Sequence, residues 1–185
     1  MLSWRPITTI CAAALILAAS AQAANVTVNG TVTAGTTLSV AANGTPSFSL
    51  TLNGTDQTAT YTLPVSVVDA RGLGTGGGWN LTVTSTQFND GAGHTFPASA
   101  STITGVTSGC GTNSTCTLPT NSVTNTNLAL PAGATAPAAV KYMNAANASG
   151  LGTTNVNATV AVAVPANVFA GTYSSTVTVS IVAGP

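Results

Sequence analysis

The sequence predicts an all-β protein, an antiparallel β-sandwich with a long loop-rich insertion. Apolar side chains alternate with Ser, Thr and Asn in nearly every informative segment, as in strands with one buried and one hydrated face. No segment after the first 23 residues keeps a helical period with capping signals. Three Asn-Gly-Thr triplets, starting at Asn29, Asn43 and Asn53, indicate tight type I′ hairpin turns between strands.

The alternating segments place one apolar face of each predicted strand toward the core. The amino-terminal third is predicted as a meander of short strands, strands resume near Val140, and the first and last segments are expected to pair. The predicted inward residues are, in chain order, Phe48, Leu50 and Leu52; Tyr61, Leu63, Val65 and Val67; Trp79, Leu81 and Val83; Val156, Ala158, Val160, Val162 and Val164; and Tyr173, Ser175, Val177, Val179 and Ile181.

The insertion covers about residues 89–139 and consists mainly of Gly, Ala, Ser, Thr, Asn and Pro. It is compatible with a disordered linker or with ordered loops that contain one or two short strands. Cys110 and Cys116 lie within it, and in an exported protein such a close pair predicts a disulfide that stiffens a loop. A metal site is the alternative, but His94 is the only histidine. The disulfide favours ordered loops within one domain.

The first 23 residues resemble a secretory signal peptide. Arg5 precedes an apolar run from Ile10 to Ala19, and the small residues of Ala21-Gln22-Ala23 suit cleavage after Ala23. The run is too short for a permanent bilayer span. We therefore expect residues 24–185 to form a single exported domain, extracellular, secreted or at the cell surface, with no integral membrane span.

The chain carries almost no charge. Only 3% of its residues are charged, while 44% are hydrophobic. The low charge argues against a nucleic-acid or anionic-lipid partner, and the dense apolar content argues against disorder. A surface hydrated by Thr, Ser and Asn has weak charge repulsion, so self-association through edge strands is expected.

Trp79 opens a strand after three glycines, in the stretch GGGWNLTVTSTQF. It could be an exposed platform that stacks on a sugar, or a core residue at one end of the sandwich. Leu81 and Val83 share its face, and no aromatic neighbour is near in sequence. Because burial of such a side chain is worth about 3 kcal/mol, the core position is favoured.

Two blocks of the chain resemble the WxL-type domains of bacterial surface proteins. Residues 67–88 contain Val-Val-Asp-Ala-Arg-Gly followed by Gly-Trp-Asn-Leu, and residues 164–185 contain a proline, a Gly-Thr-Tyr and a closing strand. Trp79, Leu81 and Tyr173 are the motif residues, to which we assign a structural role. The family's usual second Trp-x-Leu is replaced after Tyr173 by Val-Thr-Val, so the chain is similar to a divergent member with a single motif.

The resemblance implies an Ig-like/WxL-like sandwich at the cell surface. It also implies noncovalent association with the cell-wall polymer peptidoglycan, or with other surface proteins.

Chemistry-bearing residues are sparse, and we assign no catalytic, cofactor-binding or metal-ligating residue. Asp90 and His94 lie four apart in a glycine-rich loop, where they could form a dyad or half a metal site, but a solvated loop is favoured because nothing else fixes their geometry. Asp56, Asp69 and Asp90 could each join Asn side chains or backbone carbonyls in a calcium site, although Asp69 beside Arg71 suggests a turn with a local ion pair. No cofactor is expected, and the protein is predicted not to be an enzyme.

Three functions remain open from the sequence. The first is a wall-associated structural or attachment protein. The second is a subunit of an extracellular filament or pilus, in which the segment from Asn25 to Thr33 is donated to a neighbour's sheet edge; this predicts Val26, Val28 and Val32 outside their own sheet. The third and least favoured is a carbohydrate-binding module. A binding surface is expected in the polar loops of residues 89–139 or along an open sheet edge.

Overall fold

The structure is a computed structural model that describes residues 27–184. The predicted signal peptide and its cleavage after Ala23 lie outside the described residues, as does Val26. The chain divides into two units, Met1–Val32 and Thr33–Pro185. In the described part of the first unit, residues 27–32 form no strand and are exposed. Among the described residues there is no helix that could cross a membrane.

The second unit contains nine β-strands in two sheets. The first sheet has the order β1-β2-β8-β4-β5, and the second has β3 at its centre, with β9 along one edge and β6 and β7 along the other. The strands are β1 (Leu38–Ala42), β2 (Gln57–Asp69), β3 (Trp79–Thr86), β4 (Ser101–Cys110), β5 (Leu128–Ala129), β6 (Ala132–Gly133), β7 (Val140–Ala145), β8 (Gly152–Val164) and β9 (Val177–Ala183). All pairs are antiparallel except β3 with β6.

The predicted all-β antiparallel sandwich is confirmed, and its core follows the alternation of the sequence. β2 and β8 pair along their full thirteen residues, from Gln57↔Val164 to Asp69↔Gly152. Their inward residues meet those of β3 between the sheets in one apolar cluster. The cluster includes Tyr61, Leu63, Val65, Val67, Trp79, Leu81, Val83, Val156, Ala158, Val160, Val162 and Val164.

The predicted meander of the amino-terminal third is wrong. Residues 43–56 form no strand; Phe48 instead stacks on Tyr61 with 6.3 Å between ring centroids and packs edge-on against Phe88 at 5.5 Å. The Asn-Gly-Thr triplets do not form type I′ turns. Gly44 and Gly54 have positive φ but the preceding asparagines do not, and a type I′ turn needs positive φ at both central residues.

The pairing of the chain ends also differs from the prediction. β1 pairs with β2 and β9 pairs with β3, so the first and last strands join different sheets. β9 begins at Val177, four residues after Tyr173, which was predicted to lie in the last strand.

The insertion is built into the sandwich. It supplies β4, which pairs with β8 through nine register positions, as well as the two short strands β5 and β6. Cys110 at the end of β4 forms the predicted disulfide with Cys116, with a Cα–Cα distance of 5.4 Å. The residues after this bridge run beside the turn between β7 and β8, where the Gly150 amide donates to the Thr117 carbonyl over 2.8 Å.

Trp79 is fully buried at the start of β3. Its indole Nε1–H donates to the Gly150 carbonyl over 3.1 Å, so the one polar atom of this side chain is satisfied inside the core. Gly150 has a φ of +72°, and a Cβ added there would lie 2.6 Å from Trp79 Nε1 and from the Ala145 Cβ. The turn between β7 and β8 therefore requires glycine for two reasons, its backbone conformation and the approach of the indole.

An ion pair holds the chain before Trp79. Arg71 donates to both carboxylate oxygens of Asp69 over 2.9 and 2.8 Å, and to the Gly78 carbonyl over 2.8 Å. The Asp69 side chain is fully buried. Burial alone would raise the pKa of Asp69, but the hydrogen bonds and charge of Arg71 outweigh it and lower that pKa. The pair fixes the turn that delivers the chain into β3.

We expect Gly150→Ala to lower the free energy of unfolding by about 3 kcal/mol, because strain at positive φ and overpacking against the indole add together. Denaturant unfolding followed by Trp79 fluorescence measures the loss in a chain of residues 24–185, in which Trp79 is the only tryptophan.

The matched control for that measurement is Gly54→Ala. Gly54 also has positive φ, +85°, but an added Cβ would meet nothing within 4 Å, so only the backbone strain of about 1 kcal/mol is expected. Equal losses in the two variants would contradict the proposed close fit between Gly150 and Trp79.

Candidate functional site

A cleft of about 410 Å³ opens between the loop that follows β3 and the loop that follows β8. It is a shallow depression that is open to solvent, not an enclosed cavity. We call it the His94 cleft and define it by six of its lining residues. These are Gln87, His94, Phe96, Asn167, Phe169 and Tyr173.

Backbone hydrogen bonds bring these two loops together. Asn89 and Ser174 exchange amide-to-carbonyl bonds of 3.0 and 2.9 Å, which join the two loops. Within the first loop, the Phe96 amide donates to the Phe88 carbonyl over 3.0 Å and the Asp90 amide donates to the His94 carbonyl over 3.2 Å. The loop is a short hairpin with His94 near its tip.

Asp90 organises the tip of this hairpin. Its Oδ1 accepts from the backbone amides of Ala92 and His94 over 2.8 and 3.0 Å, and its Oδ2 lies 2.6 Å from His94 Nδ1. The hydrogen bond with His94 lowers the pKa of Asp90 to about 2, and both backbone amides act in the same direction. The carboxylate is therefore ionised at neutral pH. Because an ionised carboxylate can only accept, His94 Nδ1 is the donor in this contact.

Aromatic rings form the walls of the His94 cleft. Phe169 stacks on the His94 imidazole with 4.1 Å between ring centroids and 26° between planes, yet 63% of its surface remains exposed. Tyr173 packs against Phe96 at 4.4 Å and donates its hydroxyl to the Phe169 carbonyl over 3.1 Å. Phe96 is buried, with 3% of its surface exposed. Tyr173 therefore links the backbone of the exposed Phe169 to a residue of the core.

Uncharged polar groups complete the lining. Gln87 donates through Nε2 to the Phe96 carbonyl over 3.0 Å, which leaves its Oε1 as an acceptor. Asn167 is exposed and can both donate and accept. Arg71 and Lys141, the Lys and Arg residues within the described range, do not line the cleft. The arrangement suits a neutral ligand with one apolar face and several hydroxyl or amide groups.

The sequence-predicted residues divide between the core and the cleft. Trp79 and Leu81 are buried in the core, the disulfide of Cys110 and Cys116 lies at the end of β4, and only Tyr173 among the motif residues lines the cleft. Asp56 accepts a hydrogen bond from the Ala166 amide over 2.9 Å. The described residues contain no group of three or more His, Cys, Asp or Glu able to hold a metal ion.

Sequence reasoning missed the His94 cleft. It favoured a solvated loop for Asp90 and His94. Residues 91–93 are exposed and the His94 side chain is 39% exposed, as expected of such a loop, but the two side chains are also in contact at 2.6 Å. Phe169 was not singled out at all. Two signals were available in the sequence. One is the Asn-Asp-Gly run, which is typical of Asx turns, and the other is the pair of phenylalanines, Phe88 and Phe96, on either side of it. The contact across to Phe169 depends on the pairing of Asn89 with Ser174, which no local pattern reveals.

We expect Asp90→Asn to remove an acid-dependent part of the stability. Since the folded pKa of Asp90 is lowered to about 2 from an ordinary value near 4, its ionised form stabilises the fold above about pH 4, and this contribution is lost as pH falls through about 2. The measurement is the free energy of unfolding of both proteins from pH 6 downward. Asp69 also has a lowered pKa, but it is present in both the wild type and the Asp90→Asn variant, so its pH-dependent contribution cancels in the difference between their free energies of unfolding. A wild-type advantage that stays constant with pH would contradict the assignment.

Comparison with known proteins agrees with the motif blocks. The family model described as "WxL domain surface cell wall-binding" matches residues 28–185. No curated protein and no solved structure matches the chain significantly. The family match covers nearly the whole described chain and confirms the resemblance carried by the Trp79 and Tyr173 blocks. The chain therefore belongs to the WxL domain family of surface, cell wall-binding proteins.

Proposed function

We propose that the protein is a non-enzymatic structural or attachment component of the cell surface, held noncovalently on peptidoglycan after export and removal of residues 1–23. The observation that carries this proposal is the family match over residues 28–185. The Asp90–His94 pair has a binding role in this view, because it fixes the loop that lines the cleft.

The charge distribution supports contact with an uncharged portion of the wall polymer. Each acidic residue of the chain is engaged within the fold: Asp56 with a backbone amide, Asp69 with Arg71 and Asp90 with His94. Arg71 is committed to Asp69 and Gly78. With Lys141 as the other basic side chain in the described range, a polyphosphate polymer would find no cluster of cations.

We expect the purified protein to sediment with isolated peptidoglycan and to be released by mild denaturant. Because the contact is uncharged, the bound fraction should change little up to about 1 M salt, where the Debye length is only about 3 Å. Sedimentation assays across a salt series measure this, with a Lys141→Ala variant as the charge control. A bound fraction that falls steeply with salt, or no sedimentation with the wall, would contradict the proposal.

A filament subunit is the second candidate, and the exposure of the amino-terminal segment favours it. Val28 and Val32 are 88% and 99% exposed, and together with Gly30 they share one face of an extended strand. The candidate acceptor is β9, which among the described residues pairs with β3 on one side only, while β1 packs near it without pairing. Its inward residues Val177 and Val179 are half-buried, so a donated strand from a neighbouring subunit would cover them.

We expect strand donation, if it operates, to produce fibres of this chain that a Val28→Asp/Val32→Asp double variant cannot form, because charges would enter the neighbour's apolar groove. Electron microscopy of fractionated surface material and of purified protein provides the measurement. The control is Leu118→Asp, at a residue of the disulfide-bridged region that is 51% exposed. A wild type that stays monomeric at high concentration and on cells would contradict this second candidate.

A further inference from the structure

We infer that the His94 cleft is a glycan-binding site that takes a neutral N-acetylated pyranose unit of the wall polymer. The inference rests on the proposed wall binding and adds to it the ligand class and the residues in contact. It begins from the exposure of Phe169, a large apolar side chain that remains 63% exposed beside a cleft of about 410 Å³.

The Phe169 ring is held rigidly enough to act as a stacking surface. It lies on the His94 imidazole at 4.1 Å, and His94 is fixed in turn by Asp90. The Tyr173 hydroxyl fixes the backbone of Phe169 through a bond of 3.1 Å to its carbonyl. An aromatic ring already held in place loses little conformational entropy when a ligand packs on it. One face of a pyranose ring carries only C–H groups and suits such a surface.

The polar lining provides the second half of sugar recognition. Gln87 Oε1 is an acceptor, and the Asn167 amide offers both a donor and an acceptor. Hydroxyl groups on the ring edge and the N–H and C=O of an acetamido group are complementary to this set. These groups surround a stacking surface, so they fix the orientation of the sugar whereas the aromatic contact contributes apolar burial.

The charge beside the cleft favours uncharged parts of a wall polymer over anionic ones. The Asp90 carboxylate is ionised over the physiological pH range and lies directly behind His94. Neither Arg71 nor Lys141 lines the cleft to offset it. A ligand carboxylate or phosphate would meet a negative potential here without a cationic partner. The cleft therefore favours the neutral N-acetylhexosamine portion over peptide stems or polyphosphate chains.

The test is isothermal titration of the purified secreted protein with a β-1,4-linked N-acetylglucosamine oligosaccharide. We expect Phe169→Ala to weaken binding about tenfold, since an aromatic contact contributes about 0.5–1.5 kcal/mol beyond its buried area. Phe169→Trp should retain or improve the affinity. The matched control is Leu118→Ala, which removes a similarly exposed apolar side chain, 51% exposed, that does not line the cleft. An unchanged Trp79 emission spectrum verifies the fold of the two alanine variants, and far-ultraviolet circular dichroism verifies that of Phe169→Trp.

Three results would overturn the inference: wild-type protein that does not bind the oligosaccharide, Phe169→Ala protein that binds as well as wild type, or stronger binding to poly(glycerol phosphate) that ignores Phe169. Parallel sedimentation with whole peptidoglycan separates this inference from the proposed function. Wall binding that persists in Phe169→Ala protein refutes the cleft alone, because the polymer is then held elsewhere. Oligosaccharide binding without wall sedimentation refutes the proposed function and leaves the cleft as a sugar site.

Discussion

The contact between the Trp79 indole and the Gly150 backbone is the constraint on which the rest of the sandwich depends. It joins the first residue of β3 in one sheet to the turn that leads into β8, the central strand of the other. The segment that follows the disulfide contacts the same turn through the hydrogen bond from the Gly150 amide to the Thr117 carbonyl. Contacts at Gly150 therefore fix the spacing of the two sheets, the β7–β8 turn and the path of the chain after Cys116. Only glycine at this position leaves room for the indole.

The few charges of the chain act on local architecture rather than on solubility. Asp69 with Arg71 directs the chain into β3, Asp90 shapes the hairpin that carries His94, and Asp56 accepts from the loop after β8. A carboxylate that receives backbone N–H groups can fix a turn with a single side chain. The hydration of the surface is then left to hydroxyl and amide groups, which is compatible with close contact to an uncharged polymer.

The sandwich was predictable where burial and alternation coincide, and much less so elsewhere. β2, β3 and β8 combine a period of two with full burial of one face, so tertiary structure reinforces the local pattern. The alternation around Phe48 predicted a strand wrongly, because Phe48 joins an aromatic cluster with Tyr61 and Phe88 instead of a sheet. β4 was hidden because its Ser-, Thr- and Gly-rich sequence carries little apolar signal. The cleft was unpredictable since its two halves lie on loops separated by β4 to β8.

The position of β8 between β2 and β4 has a consequence for how the chain acquires its structure. β2 pairs with residues as distant as Val164, and β3 pairs with β9 near the carboxyl end. Until β8 emerges, β2 lacks its partner at the centre of the first sheet, and until the last residues emerge, β3 lacks one of its two neighbours. A topology of such distant contacts folds slowly. A chain that emerges residue by residue would therefore stay largely unpaired until β8 has emerged. The same order of events delays burial of the Trp79 indole until synthesis is nearly complete.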